Sequence, residues 1–104
     1  MALAEEVTNR LVDAYRTLVS TAFATVRSRV ARDLLERAGR TGRTRKSDHL
    51  RVTQQALADA TGSVREVVAR ALRELRQQGA IETDQAGVTI LNVDALIAEA
   101  GHSL

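Results

Sequence analysis

A mainly α-helical fold, a winged helix-turn-helix with a small antiparallel β-hairpin and a long N-terminal helix, is predicted by three features of the sequence. Val52 to Gly79 holds two stretches of helical apolar spacing on either side of Gly62. After Gly79, the segments AIETD and VTILN cluster β-formers around Gln85, Ala86 and Gly87. Ahead of both, Leu3 to about Thr25 repeats apolar residues three and four apart with no helix breaker.

In the first of these, Thr53 has the residue type and place of an N-cap, followed by Ala56, Leu57 and Ala60 as the expected buried stripe. Gly62 supplies a turn that needs a left-handed backbone, and Ser63 opens a second helix. Val67, Val68, Ala71, Leu72 and Leu75 mark the inward face of that helix. Arg65, Glu66, Ala69, Arg70 and Arg73 are left pointing outward. A helix-turn-helix reads DNA with such a face in the major groove. Arginine presents paired N–H donors that match guanine O6 and N7, and a carboxylate accepts from cytosine N4. Arg65, Glu66 and Arg70 are therefore the candidate base readers. For Glu66 a second role stays open, since Ser63 and Glu66 also spell a capping box.

The sequence around G-S-V-R-E-V-V-A-R resembles the C-terminal DNA-binding domain of the cyclic AMP receptor protein and fumarate-nitrate reduction regulator (CRP/FNR) family of bacterial transcription factors. The match is specific at Gly62, Arg65, Glu66 and Arg70, extends upstream through VRSRVARDLLERA (Val26 to Ala38) and downstream through the wing, and covers about two thirds of the chain. It implies sequence-specific binding of double-stranded DNA by a homodimer on an inverted repeat, with RNA polymerase as a further partner. It also implies backbone contacts from Arg27, Arg51 and Gln55, which position a protein without reading sequence. Thr53 and Ser63 are further backbone candidates, and Arg73, two turns into the helix, is expected to meet a phosphate or a nearby Glu. One helix's worth of sequence stands where the family places a sensor domain, so the family's sensing function is not carried over.

The N-terminal segment is the expected dimerisation unit, residues 1–25, ahead of a DNA-binding domain over 26–104. Val7, Leu11, Ala14 and Leu18 form a stripe with coiled-coil spacing. Val12, Tyr15, Val19, Phe23 and Val26 form a second stripe beside it, suited to packing on the chain's own domain. Thr25 is the expected cap of a separate helix from Val26 to about Ala38, ended by Gly39. Arg40 to Asp48 follows as a polar connector, in which Arg43, Arg45 and Lys46 could add attraction for phosphate. Asn92 has the place of an N-cap for a last helix, Val93 to Ala100, with Ala95, Leu96 and Ile97 as its apolar contacts. The short wing carries Asp84 and no Lys or Arg, leaving a backbone amide near Gly87 as its one candidate phosphate contact.

Composition narrows the function further. The whole chain is +2, but Arg40 to Arg76 holds nine basic and four acidic residues and the remainder is net negative. That asymmetry suits one face meeting phosphates. Zero Cys excludes disulfides, thiolate zinc sites and iron–sulfur clusters. His49 and His102 stand in polar surroundings with no HExxH pair, which leaves no metal centre, cofactor or catalytic constellation to assign. One Tyr and one Phe give no aromatic platform for single strands. No window approaches the roughly 18 apolar residues of a membrane span, and a cytoplasmic location is expected. The reading of a different class is a winged helix that docks an acidic protein through its arginine face.

Overall fold

The computed structural model describes the backbone of residues 2–40 and 48–101, and the side chains of 5–40 and 49–101. Within those bounds the order is α1 (Ala2–Arg40), β1 (Asp48–Leu50), α2 (Gln54–Thr61), α3 (Arg65–Gln77), β2 (Ile81–Thr83), β3 (Val88–Ile90) and α4 (Val93–Ala100). The strands form an antiparallel sheet in the order β1-β3-β2.

The expected break at Thr25 is absent: α1 is one helix of 39 residues. At 1.5 Å per residue it is about 58 Å long, and the molecule measures 61 Å along its longest axis. Thr25 sits mid-helix and donates its hydroxyl to the Thr21 carbonyl at 3.0 Å, as Thr21 does to Thr17 at 2.8 Å. A hydroxyl bonded back to residue i−4 is accommodated within a helix, so a threonine that could have capped does not. Gly39 likewise lies inside the helix, one residue from its end, and stops nothing.

The second half of α1 supplies the core. Val30, Ala31, Leu34 and Ala38 are fully buried against Leu57 and Ala58 of α2, Val68, Ala71, Leu72 and Leu75 of α3, and Leu96 of α4. Leu50, Ile81, Val88 and Ile90 close it from the sheet. On α2 the inward residues are Leu57, Ala58 and Thr61, whereas Ala60, expected inside, is exposed. Thr61 tolerates burial because its hydroxyl donates to the Leu57 carbonyl at 2.7 Å. On α4 Leu96 is buried as expected, but Ile97 is 55% exposed. The place facing inward goes instead to Glu99.

The first half of α1 has no cover. Val7, Leu11 and Leu18 are 50%, 67% and 69% exposed, and Ala14 beside them is exposed. The second stripe departs from expectation in its early members: Val12 and Tyr15 are exposed, and only from Val19 through Phe23 to Val26 does it become half-buried.

Strand β1 is an addition to the expected hairpin. His49 pairs with Thr89 and Leu50 with Val88, making β3 the central strand. His49 is thus a half-buried strand residue, 3.4 Å from the Asp84 carboxylate, rather than a solvated loop residue. Gly87 is where the wing crosses β1 most closely: a Cβ there would fall 1.9 Å from the Leu50 carbonyl oxygen, so only glycine fits. His102 and the basic residues Arg43, Arg45 and Lys46 lie outside the described residues. No described helix is long and apolar enough to cross a membrane.

Candidate nucleic-acid interface

Helices α2 and α3 are joined as their residue types dictate. Thr53 caps α2, its hydroxyl oxygen accepting from the Ala56 amide at 3.0 Å. Gly62 turns the chain at φ 65°, and the Ser63 amide donates back to the Ala58 carbonyl at 2.9 Å, closing the end of α2. The start of α3 is different. Its N-cap is Val64, without a side-chain hydrogen bond, so the capping box of Ser63 and Glu66 does not form. Ser63 is half-buried, and the Glu66 side chain is exposed with no hydrogen bond to a described residue.

Burial on α3 divides its faces as expected: Val68, Ala71, Leu72 and Leu75 are buried, and Arg65, Glu66, Arg70 and Arg73 are exposed. Arg65 and Arg73 have no ion pair among the described residues. The exposed donors of Arg65 and the acceptor of Glu66, at the start of this helix, form a surface that can hydrogen-bond with a partner. A cleft beside it is lined by Thr53, Gln54, Gln55 and Arg65, with Thr83 and Gln85 of the wing opposite. Thr53 and Gln55 therefore stand beside Arg65 in this cleft, and both are exposed, as is Arg51 two residues before Thr53. Gln55 already donates to Asp59 at 2.9 Å. The wing tip turns away an anion: Asp84 accepts from the Ala86 and Gly87 amides at 2.7 and 2.8 Å. Those two bonds, with His49 nearby, hold its carboxyl below the usual range. The amide near Gly87 is thus already occupied.

Arg27 lies apart from this cleft in its bonding. Its Nη1 donates to Glu74 of α3 and its Nε to Glu99 of α4. Glu99 is 6% exposed, and Ser28 beside it donates to the Glu99 carbonyl at 2.6 Å. A phosphate contact from Arg27 would have to displace two carboxylates. Burial pushes the Glu74 carboxyl up, but hydrogen bonds from Arg70 and Arg27 more than reverse this and leave it below its ordinary value. The sequence reading missed this network, which joins residues 47 and 72 positions apart. The Arg70–Glu74 pair within it was visible as an i, i+4 spacing.

Three comparisons place this geometry among known proteins. The family model described as the Crp-like helix-turn-helix domain matches residues 28–99. The transcriptional regulator LdrP of Thermus thermophilus is 38% identical over 97 residues, covering 91% of this chain and 49% of that protein. The chain thus spans about half the length of that curated relative. Among solved structures, the catabolite activator protein of Thermus thermophilus superposes with a TM-score of 0.83 at 27% identity, over 98% of this chain and 46% of that one. A CRP/FNR-family transcriptional regulator from the same organism gives 0.66 at 27% identity, over 97% of this chain and 53% of its own. Because that model spans the turn glycine, the arginine-bearing second helix and all three strands, over residues 28–99, the chain belongs to the Crp-like helix-turn-helix family.

Proposed function

We propose that the chain is a sequence-specific binder of duplex DNA, a transcriptional regulator or the DNA-binding part of one, acting in the cytoplasm without catalysis. The observation that carries this reading is the start of α3, where Arg65 and Glu66 are exposed and unpaired among the described residues. Such groups match guanine and cytosine edges, each good bidentate pair discriminating by about 1–3 kcal/mol. Arg65, Glu66 and Arg70 read bases. Arg51, Thr53, Gln55, Ser63 and Arg73 lie around or along the same helix pair and hold the backbone. Arg27 belongs to the fold's internal ion pairs instead.

The protein binds as a homodimer, with Val7, Leu11, Ala14 and Leu18 of two α1 helices meeting across a two-fold axis. The support is the stripe itself, in which Val7, Leu11 and Leu18 are 50% to 69% exposed and Ala14 between them is exposed too. Two-fold symmetry makes the DNA site an inverted repeat, its half-sites about one helical turn apart. RNA polymerase is a further partner of the DNA-bound dimer.

Binding to random-sequence duplex, followed as salt is raised, tests the reading. A protein that neutralises several phosphates loses affinity along a log–log line with a slope of about −0.9 per phosphate. A steep line supports duplex binding. Absence of any association at low salt overturns it and assigns the arginine face to an acidic protein partner.

A further inference from the structure

Arg70 differs from Arg65 in being held before any ligand arrives. Its guanidinium carbon stands 3.8 Å from the centroid of the Phe23 ring, a stacking distance for a cation on an aromatic face. Its Nε donates to Glu74 Oε1 at 3.0 Å, and Glu74 Oε2 accepts from Arg27, which is itself fixed on Glu99. A guanidinium is a planar fork of five N–H donors. The ring covers one face of this fork and Glu74 takes the Nε edge. The four N–H groups of the two terminal nitrogens have no partner among the described residues, and the side chain is 48% exposed. Two of those four, one on each terminal nitrogen, suffice for a bidentate contact to guanine O6 and N7.

We infer that Phe23 and Glu74 are positioning residues for base reading: they hold the Arg70 fork in one orientation with its terminal edge open for a guanine. This rests on the assignment of α3 as the reading helix. A free arginine side chain loses rotamer freedom when it binds, whereas one already stacked and anchored loses little. Because Phe23 lies on α1, the seating of that helix on the domain also sets the aim of the reader. Phe23 thereby contributes to specificity from outside the helix-turn-helix.

The experiment compares wild type with Phe23→Leu, which keeps apolar bulk but lacks a π face, and Phe23→Tyr, which keeps the ring. The duplexes are the wild type's preferred site, a random duplex, and the preferred site with 7-deazaguanine at each guanine in turn, which removes the N7 acceptor. The guanine read by Arg70 is the one whose replacement no longer matters in Arg70→Ala. Phe23→Leu should bind the preferred site roughly 3- to 10-fold more weakly and lose most of its sensitivity to deazaguanine at that position. Its random-duplex affinity should be unchanged, and Phe23→Tyr should behave as wild type. Pentafluorophenylalanine at position 23 is the second variant: it conserves shape but reverses the ring's quadrupole, and should reproduce the loss even where Phe23→Leu disturbs folding. Undiminished deazaguanine sensitivity in both variants, or tighter binding of the preferred site by either, would overturn the positioning role. A wild type with no preference among duplexes would sink the base-reading assignment itself, a result distinct from a preference that survives the loss of the ring.

Discussion

The two halves of α1 carry similar apolar repeats and have opposite fates. Around Val30 and Leu34 the stripe is fully buried under α2, α3 and α4, while Leu11 and Leu18 on the same helix are 67% and 69% exposed. Helical spacing identifies which side chains require cover but carries no information about what provides it. In the second half the cover is the chain itself, fixed further by the ion pairs of Arg27 with Glu74 and Glu99. In the first half the cover on our reading is a second copy.

The largest effect should separate the halves by a single residue type. Leu34→Ala removes a side chain with no exposed area and should cost about 2–5 kcal/mol in denaturant unfolding. Leu18→Ala should alter the unfolding of an isolated protomer by no more than about 0.5 kcal/mol. Equal costs at both positions would erase the distinction.

Charge on the uncovered half comes next. Leu11→Glu combined with Leu18→Glu should sediment as a folded monomer, and its affinity for a duplex with two half-sites should fall about 100-fold, the loss expected when linked binding becomes independent. A dimer that persists places the seam elsewhere.

The docked half should also have its own acid sensitivity. The Glu74 carboxyl lies below its ordinary value of 4.5 in the folded protein. Its stabilising contribution is therefore complete above about that pH and fades as pH falls through the lower folded value. Glu74→Gln should cost about 1–2 kcal/mol at neutral pH and flatten the loss of stability measured below pH 4.5 by thermal unfolding. An acid profile identical to wild type would show that this pair does not fasten α1 to α3.

Smallest is the boundary between the halves. Thr21 is exposed and bonds back to Thr17, so Thr21→Ala should stabilise by about 0.5 kcal/mol through helix propensity alone. Destabilisation there would mean that the hydroxyl shapes the helix.

Local signals accounted for much of the structure. Thr53, Gly62 and Asn92 are caps or turns whose chemistry acts within four residues, and each has its expected role. The inward and outward faces of α3 followed from spacing. Failures arose where two local outcomes were both permitted: a threonine can cap a helix or bond back inside one, and Thr25 takes the second course. Gly39 costs little so near a helix end. A three-residue strand beside a polar run, as at β1, has no period to detect; pairing with β3 creates it. For the interface, Arg65 and Glu66 were legible as an exposed polar face. The ion pairs of Arg27, however, and the stacking of Phe23 under Arg70, depend on contacts between segments far apart in sequence.

Selection from randomised duplexes, with wild type beside Arg65→Ala and Arg70→Ala, tests the central claim most directly. Wild type should enrich a two-fold-symmetric site with G·C pairs in each half, and each variant should relax preference at one pair per half-site while its affinity for random duplex is retained. Enrichment of no motif by the wild type, or the same motif by all three proteins, would contradict the assignment of α3 as the reader.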